Sequence, residues 1–465
     1  MTTQIVILAA GQSKRMQSTL PKVLHPLGGK PLLAHVIETV SLLQVPPPVV
    51  VYGFHGDQLK KAFTAYDKLA WVEQKEQLGS AHALQQALPH LNADRVLVLY
   101  GDVPLISEAL LQSFMTATPQ HALGMMTCHL SNPTHYGRIV RDERGQVKKI
   151  VEEKEATAAE RLIQEVNAGI YLIPVAQLAS WLQAVRNHNA QGEYYLTDII
   201  ALAVAQGVPI HTVTAHRPEE VMGINDRVQL SALERYYQTQ QAKRLMQQGV
   251  TVLDPARLDV RGHVKAASDV VIDVNVILEG EVTLGAGCRI GPGAILRDAV
   301  LGEGVEIKAY SVIEGATIAG GSVIGPFARL RPGTQLEART HIGNFVEIKN
   351  SHIHTDSKVN HLSYIGDSDI GSRVNVGAGT ITCNYDGAQK HRTVIGDDVH
   401  IGSDTQLIAP VIVEVGATIG AGSTVASNVP PHQLTLTHEL KQRTVPSWKR
   451  PQKHVESSAS VEDKT

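Results

Sequence analysis

Three groups of residues have types and spacings that could do chemistry. Arg331 and Lys349 stand 18 residues apart in a stretch whose aliphatic residues recur every six. If three six-residue units close one coil, 18 residues is one full coil, so the two cations stack on one face and cradle a phosphate group. His361, Tyr364 and Asn375 follow closely. An imidazole there has the right ordinary pKa to move a proton near neutral pH. It is one of 21 histidines, and a surface or packed ring is the alternative reading. In the front half, Leu8-Ala9-Ala10-Gly11 ends a strand-like run with small residues that let backbone N–H groups approach phosphate oxygens, and Arg15 and Lys22 bring positive charge. The segment is neither a Walker loop nor a full dinucleotide fingerprint, and a plain tight turn would use the same glycine. Lastly, Val96–Leu99 runs into Tyr100-Gly101-Asp102, which sets a carboxylate at the end of a buried strand. Mg²⁺ on a triphosphate wants such a hard oxygen there. The competing role for Asp102, capping a helix over Ser107–Ala117, is opposed by the intervening Pro104 and Leu105.

These groups need elements to hold them, and the chain changes grammar half-way. Ile5–Ala9, Val49–Tyr52 and Val96–Tyr100 are short aliphatic runs separated by helical sequence, the pattern of a buried parallel sheet. In such open α/β sheets ligands bind beyond the carboxyl ends of the strands. Residues 226–248 lack Gly and Pro and read as one helix joining the halves, with Asn225 or Asp226 as N-cap and Gly249 as stop. From about residue 252 the aliphatic residues recur at six: Ile272, Leu278, Leu284, Ile290 and Leu296, then Ile324 to Ile348, then Ile395 to Val425. A hexapeptide β-helix produces this, with the aliphatic residue inward on each flat side and about ten coils in all. The repeat shortens between Ile313 and Ile318 and between Ile348 and Ile353; those slips and an insertion from Cys383 to Thr393 read as loops leaving the prism. The polar, aperiodic tail 449–465 reads as disordered. Periodicity establishes fold and not chemistry, so a rod or oligomerisation scaffold stays open at this point.

Bulk properties bound the partners. A formal charge of −3 over 465 residues offers no general attraction to nucleic acid or anionic membrane. Cys128, Cys288 and Cys383 have neither disulfide nor zinc spacing. Cys383 as a nucleophile would need His391 to fold back onto it. No signal sequence or 20-residue apolar span is read, so the expectation is a cytoplasmic protein.

The strings LAAG…RM…PKVLH, QLGSAHA, YGD, YGRI, VEEK, NAGI and GIND occur in that order and resemble the sugar-nucleotide pyrophosphorylase family. With TITCNYDG in the repeat region, essentially the whole chain resembles the bacterial GlmU family of bifunctional uridyltransferases and acetyltransferases. The resemblance implies a Rossmann-like α/β nucleotidyltransferase domain at 1–225, a linker helix at 226–249 and a left-handed parallel β-helix at 250–448. That hand runs against the usual right-handed crossover rule. It implies that glucosamine-1-phosphate is N-acetylated by acetyl-CoA, and that N-acetylglucosamine-1-phosphate then takes a uridylyl group from UTP. It places the triphosphate and sugar phosphate on Leu8, Ala9, Ala10, Gly11, Arg15 and Lys22, and the nucleotide on Gln74, Gly79 and Ser80 with Tyr100 and Gly101. Gly137, Glu152, Asn167 and Asn225 would hold sugar and ribose, and Asp102 and Asn225 would ligate Mg²⁺. In the back half it makes His361 the general base, with Glu347 orienting it and Asn384 polarising the thioester. Arg331, Lys349, Tyr364, Asn375 and Tyr385 would bind glucosamine-1-phosphate. Ala378, Asn384, Tyr385, Ser403, Ala421 and His438 would contact acetyl-CoA in a homotrimer. Three positions depart from the family pattern: Ser13 for Gly, Ser80 for Thr, and His438 for an Arg whose charge Lys441 or Arg443 could replace. Two rivals predict otherwise: a single-activity pyrophosphorylase with a structural or regulatory β-helix, and a scaffold with no activity.

Overall fold

The computed structural model describes residues 2–11, 14–53 and 55–437. Ser13, His438, Lys441, Arg443 and the tail 449–465 therefore lie outside the described residues.

The front half is built on a mixed sheet of β1 (Thr3–Ala9), β2 (Val49–Tyr52), β3 (Ala70–Glu73), β4 (Arg95–Tyr100), β5 (Leu123–His129), β6 (Arg138–Arg141), β7 (Val147–Val151), β8 (Glu165–Pro174) and β9 (Ile210–Ala215). The strands lie in the order β9-β5-β8-β4-β1-β2-β3, with β6 joined to β8 and β7. β4, β1, β2 and β3 are parallel, and β8 runs antiparallel between β4 and β5. Strand alternation splits the core between two faces. Ile5, Ile7, Leu97 and Leu99 pack on one, and Val6, Leu8, Val96 and Val98 on the other. Ser107 caps the helix Glu108–Ala117 by accepting from the Leu110 amide, so Asp102 is free of that role.

One helix, α1 (Arg227–Gln247), joins the two halves. Of the two candidate caps, Asp226 accepts from the Gln229 amide at 2.8 Å, and Gly249 takes φ +92° just past the end. The helix touches both sides. Glu234 accepts from the Gly28 amide at 2.7 Å, and Tyr237 packs edge-on against His35. On the other side the fully buried Gln238 carboxamide donates to Val260 O at 2.9 Å and accepts from Val260 N at 2.7 Å. It completes the hydrogen-bonding edge of the first coil, as a neighbouring strand would.

The back half is a left-handed parallel β-helix. Among the described residues, one face stacks eleven short strands, and the other two share the remaining strands of the solenoid. Every inward aliphatic from Ile272 to Val425 named above is at most 3% exposed, and each contributes about 1.5–3 kcal/mol of burial. The two register slips are not loops leaving the prism. Pairing continues through them, with Gln335 beside His352 and Val312 beside Arg329, and two more occur between Leu296 and Leu301 and between Ile365 and Ile370. Each shortens one corner by a residue. There Asp298, Gly315, Asn350 and Asp367 turn the chain at positive φ, a conformation that Gly, Asn and Asp tolerate best. The insertion does leave the prism at this same corner, as a small loop closed by a bridge between Tyr385 and Lys390.

Replacing Gln238 with Ala is expected to cost about 1–3 kcal/mol by leaving the Val260 amide and carbonyl buried without partners. Chemical denaturation of the full chain reads it.

Candidate functional site

The carboxyl ends of β1 and β4, with the amino-terminal part of the antiparallel β8, open onto a cleft of about 750 Å³. Leu8, Ala9, Ala10, Gly11, Arg15, Lys22, Gln74, Gly79, Ser80, Tyr100, Asp102, Glu152, Asn167 and Asn225 line it. Gly101 and Gly137 stand behind this lining. A Cβ on Gly101 would press on Ala9, Leu33 and Val23, and one on Gly137 would press on Ile150 and Glu152. The sequence reading missed Tyr136, Glu193, Tyr195 and Thr197, which complete the wall. No motif marks them, because they come from loops folded over the sheet.

Charge is concentrated at one end of the cleft. The Lys22 ammonium bonds to the Asp102 carboxylate and lies 3.3 Å from Asn225 Oδ1, while Arg15 Nη2 donates to the same Asn225 oxygen at 3.0 Å. Two hard oxygens from β4 and from the segment before α1 thus converge on a positive charge, which fits a Mg²⁺ site. At the other end burial raises the Glu152 carboxyl above its usual range, against the hydrogen bond from Thr197 at 3.2 Å. Burial also pushes Tyr195 up to about 12, so its hydroxyl stays neutral.

The nucleotide-side loop is fixed by backbone stitching. Tyr194 N donates to Leu78 O, Ala81 N to Tyr194 O, and Leu196 N to the Ser80 hydroxyl at 2.9 Å. Ser80 therefore keeps the hydroxyl's structural bond. Gln74 is buried, and its amide nitrogen reaches Gly79 O at 3.1 Å.

On the β-helix, strand register lays out a second constellation. Asn344 pairs with His361, and the same line continues through Ala378, Ser403 and Ala421 on successive coils. His361 is exposed at the head of a row of small side chains. Its Nδ1 lies 3.0 Å from Asn344 Oδ1. With that oxygen accepting, Nδ1 carries the proton and Nε2 keeps its lone pair. The orienting contact thus comes from Asn344 and not from Glu347. Glu347 sits round the corner opposite Tyr364 and accepts from Arg331 at 2.8 Å.

Around that corner Arg331 stacks over Lys349, as the 18-residue spacing requires. Lys390, from the insertion loop, brings a second ammonium against Lys349, and that contact holds its pKa below the ordinary lysine value. Two ammoniums side by side favour an anion between them. Asp367 is kept below the usual carboxylate range despite partial burial, because Asn350 (2.6 Å) and Asn384 donate to it and Lys349 is near. The Tyr364 hydroxyl and the Asn384 amide converge over Gly366, where a Cβ would meet them at 2.5 and 2.7 Å. Asn375 lies on the His361 face between Lys358 and His400, apart from the Arg331–Lys349 stack. Tyr385 is exposed and bonds within its own loop to Gly387 O. His391 is held by Asp386 at 2.7 Å and not by Cys383, which removes the nucleophile reading.

Residues 5–252 match the model of the MobA-like NTP transferase domain family. The chain is 54% identical over 451 residues to the bifunctional protein GlmU of Azoarcus sp. (strain BH72), covering 97% of this chain and 99% of that relative. The chain belongs to the bifunctional GlmU family. Members from Pseudomonas entomophila (strain L48) and Acinetobacter baumannii (strain ACICU) are 53% and 52% identical, each over 97% of this chain and 99% of the relative. Like its family, the chain is a transferase with a nucleotidyltransferase domain in front. Among the described residues, no helix is long and apolar enough to cross a membrane.

Gly79 holds φ +111°, and a Cβ there would fall 2.5 Å from Tyr194 O. Gly79→Ala is expected to destabilise the domain by about 1–3 kcal/mol, read as a lower melting midpoint in calorimetry.

Proposed function

We propose that this chain makes UDP-N-acetylglucosamine in two steps at two separate sites. The observation that carries the reading is the pairing of a two-ammonium anion cradle with an oriented, exposed imidazole on a β-helix whose chain also bears a nucleotidyltransferase cleft. Residues 1–225 would carry uridylyl transfer and 250–448 acetyl transfer, with 226–249 joining them and 449–465 as a tail.

At the β-helix site, Arg331, Lys349 and Lys390 bind the phosphate of glucosamine-1-phosphate, and Tyr364 fixes the sugar. Acetyl-CoA lies along the Ala378–Ser403–Ala421 row, where small side chains leave room for an elongated ligand. His361 Nε2 takes the proton from the sugar amine, whose nitrogen attacks the thioester carbonyl carbon. The C–N bond forms, the C–S bond breaks, and the thiolate leaves as CoA. Asn344 keeps the imidazole in the working tautomer, and Asn384 donates to the developing oxyanion.

At the sheet-edge site, a phosphate oxygen of N-acetylglucosamine-1-phosphate attacks the α-phosphorus of UTP, and the bond to pyrophosphate breaks. No protein nucleophile is needed, so orientation and charge neutralisation do the work. Arg15 and Lys22 meet the phosphates. Gln74, Gly79 and Ser80 hold the base, and Glu152 and Asn167 hold the sugar. Asp102 and Asn225 would hold Mg²⁺, which when bound neutralises phosphate charge.

His361 is exposed on a single chain, beside a corner of the β-helix. Along the adjoining corner, Tyr310, Phe327 and Phe345 stack at 5.3 and 5.4 Å with Leu362 next in line, each roughly half exposed. A contiguous apolar ladder of this kind suits a second copy of the chain, which supports a homotrimer with sites shared between subunits.

A coupled assay with glucosamine-1-phosphate, acetyl-CoA, UTP and Mg²⁺ tests the main reading by following thiol and pyrophosphate separately. His361→Ala is expected to lose thiol release by about 10²–10⁴-fold and to recover pyrophosphate release when given N-acetylglucosamine-1-phosphate. Wild-type protein that releases pyrophosphate and no thiol would reduce the β-helix to a scaffold. Phe327→Asp, at a positive-φ position that Asp tolerates, is expected to yield monomers by light scattering, with acetyl transfer lost and uridylyl transfer kept.

A further inference from the structure

The third face of the β-helix carries a cluster that neither proposed reaction uses. His352 and His354 flank the fully buried Ile353, so strand alternation points both rings outward, with centroids 4.0 Å apart. Glu337, one coil earlier, places a single oxygen, Oε1, 3.2 Å from His352 Nε2 and 3.0 Å from His354 Nδ1. Its other oxygen accepts from the Thr355 amide and hydroxyl at 3.2 and 3.0 Å. Asp369, one coil later, lies 3.1 Å from His354 Nε2, and its second oxygen is held by Arg392 at 3.1 Å.

These contacts leave the centre short of a positive charge. If His354 Nε2 donates its proton to Asp369, the Nδ1 lone pair faces the Glu337 carboxylate oxygen. Two lone pairs 3.0 Å apart need a cation between them, either a second proton on the ring or a metal ion. The donors are two imidazole nitrogens and one carboxylate oxygen, all within 4.8 Å of one another. This set suits Zn²⁺ rather than Mg²⁺. Bonds of about 2.0–2.1 Å in a tetrahedron put neighbouring ligand atoms about 3.3 Å apart. The two nitrogen–oxygen spacings are already within a few tenths of an ångström of that. The Asp369–His354 contact is also the carboxylate–histidine arrangement that orients metal-bound imidazoles.

We infer that Glu337, His352 and His354 form a Zn²⁺ site that clips two successive coils together, with Asp369 orienting it from the next coil, on the face away from the His361 row. The fourth position is open to solvent. None of these four residues is assigned to either reaction, though His352 shares a cavity with Lys390 of the phosphate cradle, so the site is structural or regulatory.

The full-length protein, stripped with a chelator, is titrated with Zn²⁺ against a chromophoric competitor, and with Co²⁺ to read the intense visible bands of four-coordinate geometry. Wild type is expected to bind one equivalent more than the His352→Gln/His354→Gln double variant and to show those bands, which the variant lacks. Asp369→Asn is expected to weaken that equivalent by about 10–100-fold. Circular dichroism confirms that the variants fold, and unchanged uridylyl transfer shows that the front domain is intact. Equal stoichiometry and affinity in wild type and double variant would overturn the site.

Discussion

Parallel pairing of residues 17 or 18 apart in sequence, or 25 apart across the insertion, holds each coil of the β-helix to the next, and the back half is arranged by that pitch. Parallel pairing makes every outward position part of a line of neighbours along the axis. Arg331 and Lys349 share one line, Asn344 to Ala421 another, and Glu337 and His354 a third. The same pitch forces three sharp corners per coil, most of them at positive φ. One corner runs Tyr310, Phe327, Phe345 and Leu362, a second stacks Asn350 on Asp367, and a third pairs Arg339 with Asp356 and Arg373 with Asp398. Bulky residues in a left-handed conformation are strained. Stacking and ion pairs between successive coils offset that strain and give each corner a distinct surface.

The two proposed anion sites are prepared differently. At the sheet edge, the Asp102 carboxylate neutralises Lys22 and the Asn225 carboxamide oxygen accepts from Arg15, so an incoming triphosphate must exchange partners with both cations. On the β-helix, Lys349 and Lys390 repel one another, with Asp367 as a nearby countercharge while Glu347 pairs with Arg331. A phosphate entering there relieves repulsion directly. Helix α1 couples the halves mechanically, since Glu234 and Tyr237 grip the Gly28 turn while Gln238 acts as the missing strand of the first coil.

The six-residue period, the strand-ending Asp102 and the 18-residue spacing of Arg331 and Lys349 were legible in the sequence because each depends on local or strictly periodic geometry. A period fixes which residues face inward, whatever the rest of the chain does. The slips looked like departures from the prism because a missing residue reads the same in sequence whether a loop leaves or a corner tightens. Only pairing across the slip separates the two, and Asn350 and Asp367 show the corner solution. Tyr136, Tyr195 and Thr197 entered the front cleft through loops that no motif announces.

What the sequence determined by itself was therefore the two architectures, the family and the residue types fit for phosphate and acyl chemistry. Tertiary structure decided which of those residues meet. Asn344 rather than Glu347 orients His361, because register puts it on the adjoining coil of the same face, while Glu347 lies past a corner against Arg331. Lys390 reaches Lys349 only because the insertion loop folds back on a Tyr385–Lys390 bridge. Spacing along a chain measures contour length, and side chains meet across hydrogen-bonded strands and folded loops whose pairing contour length does not specify.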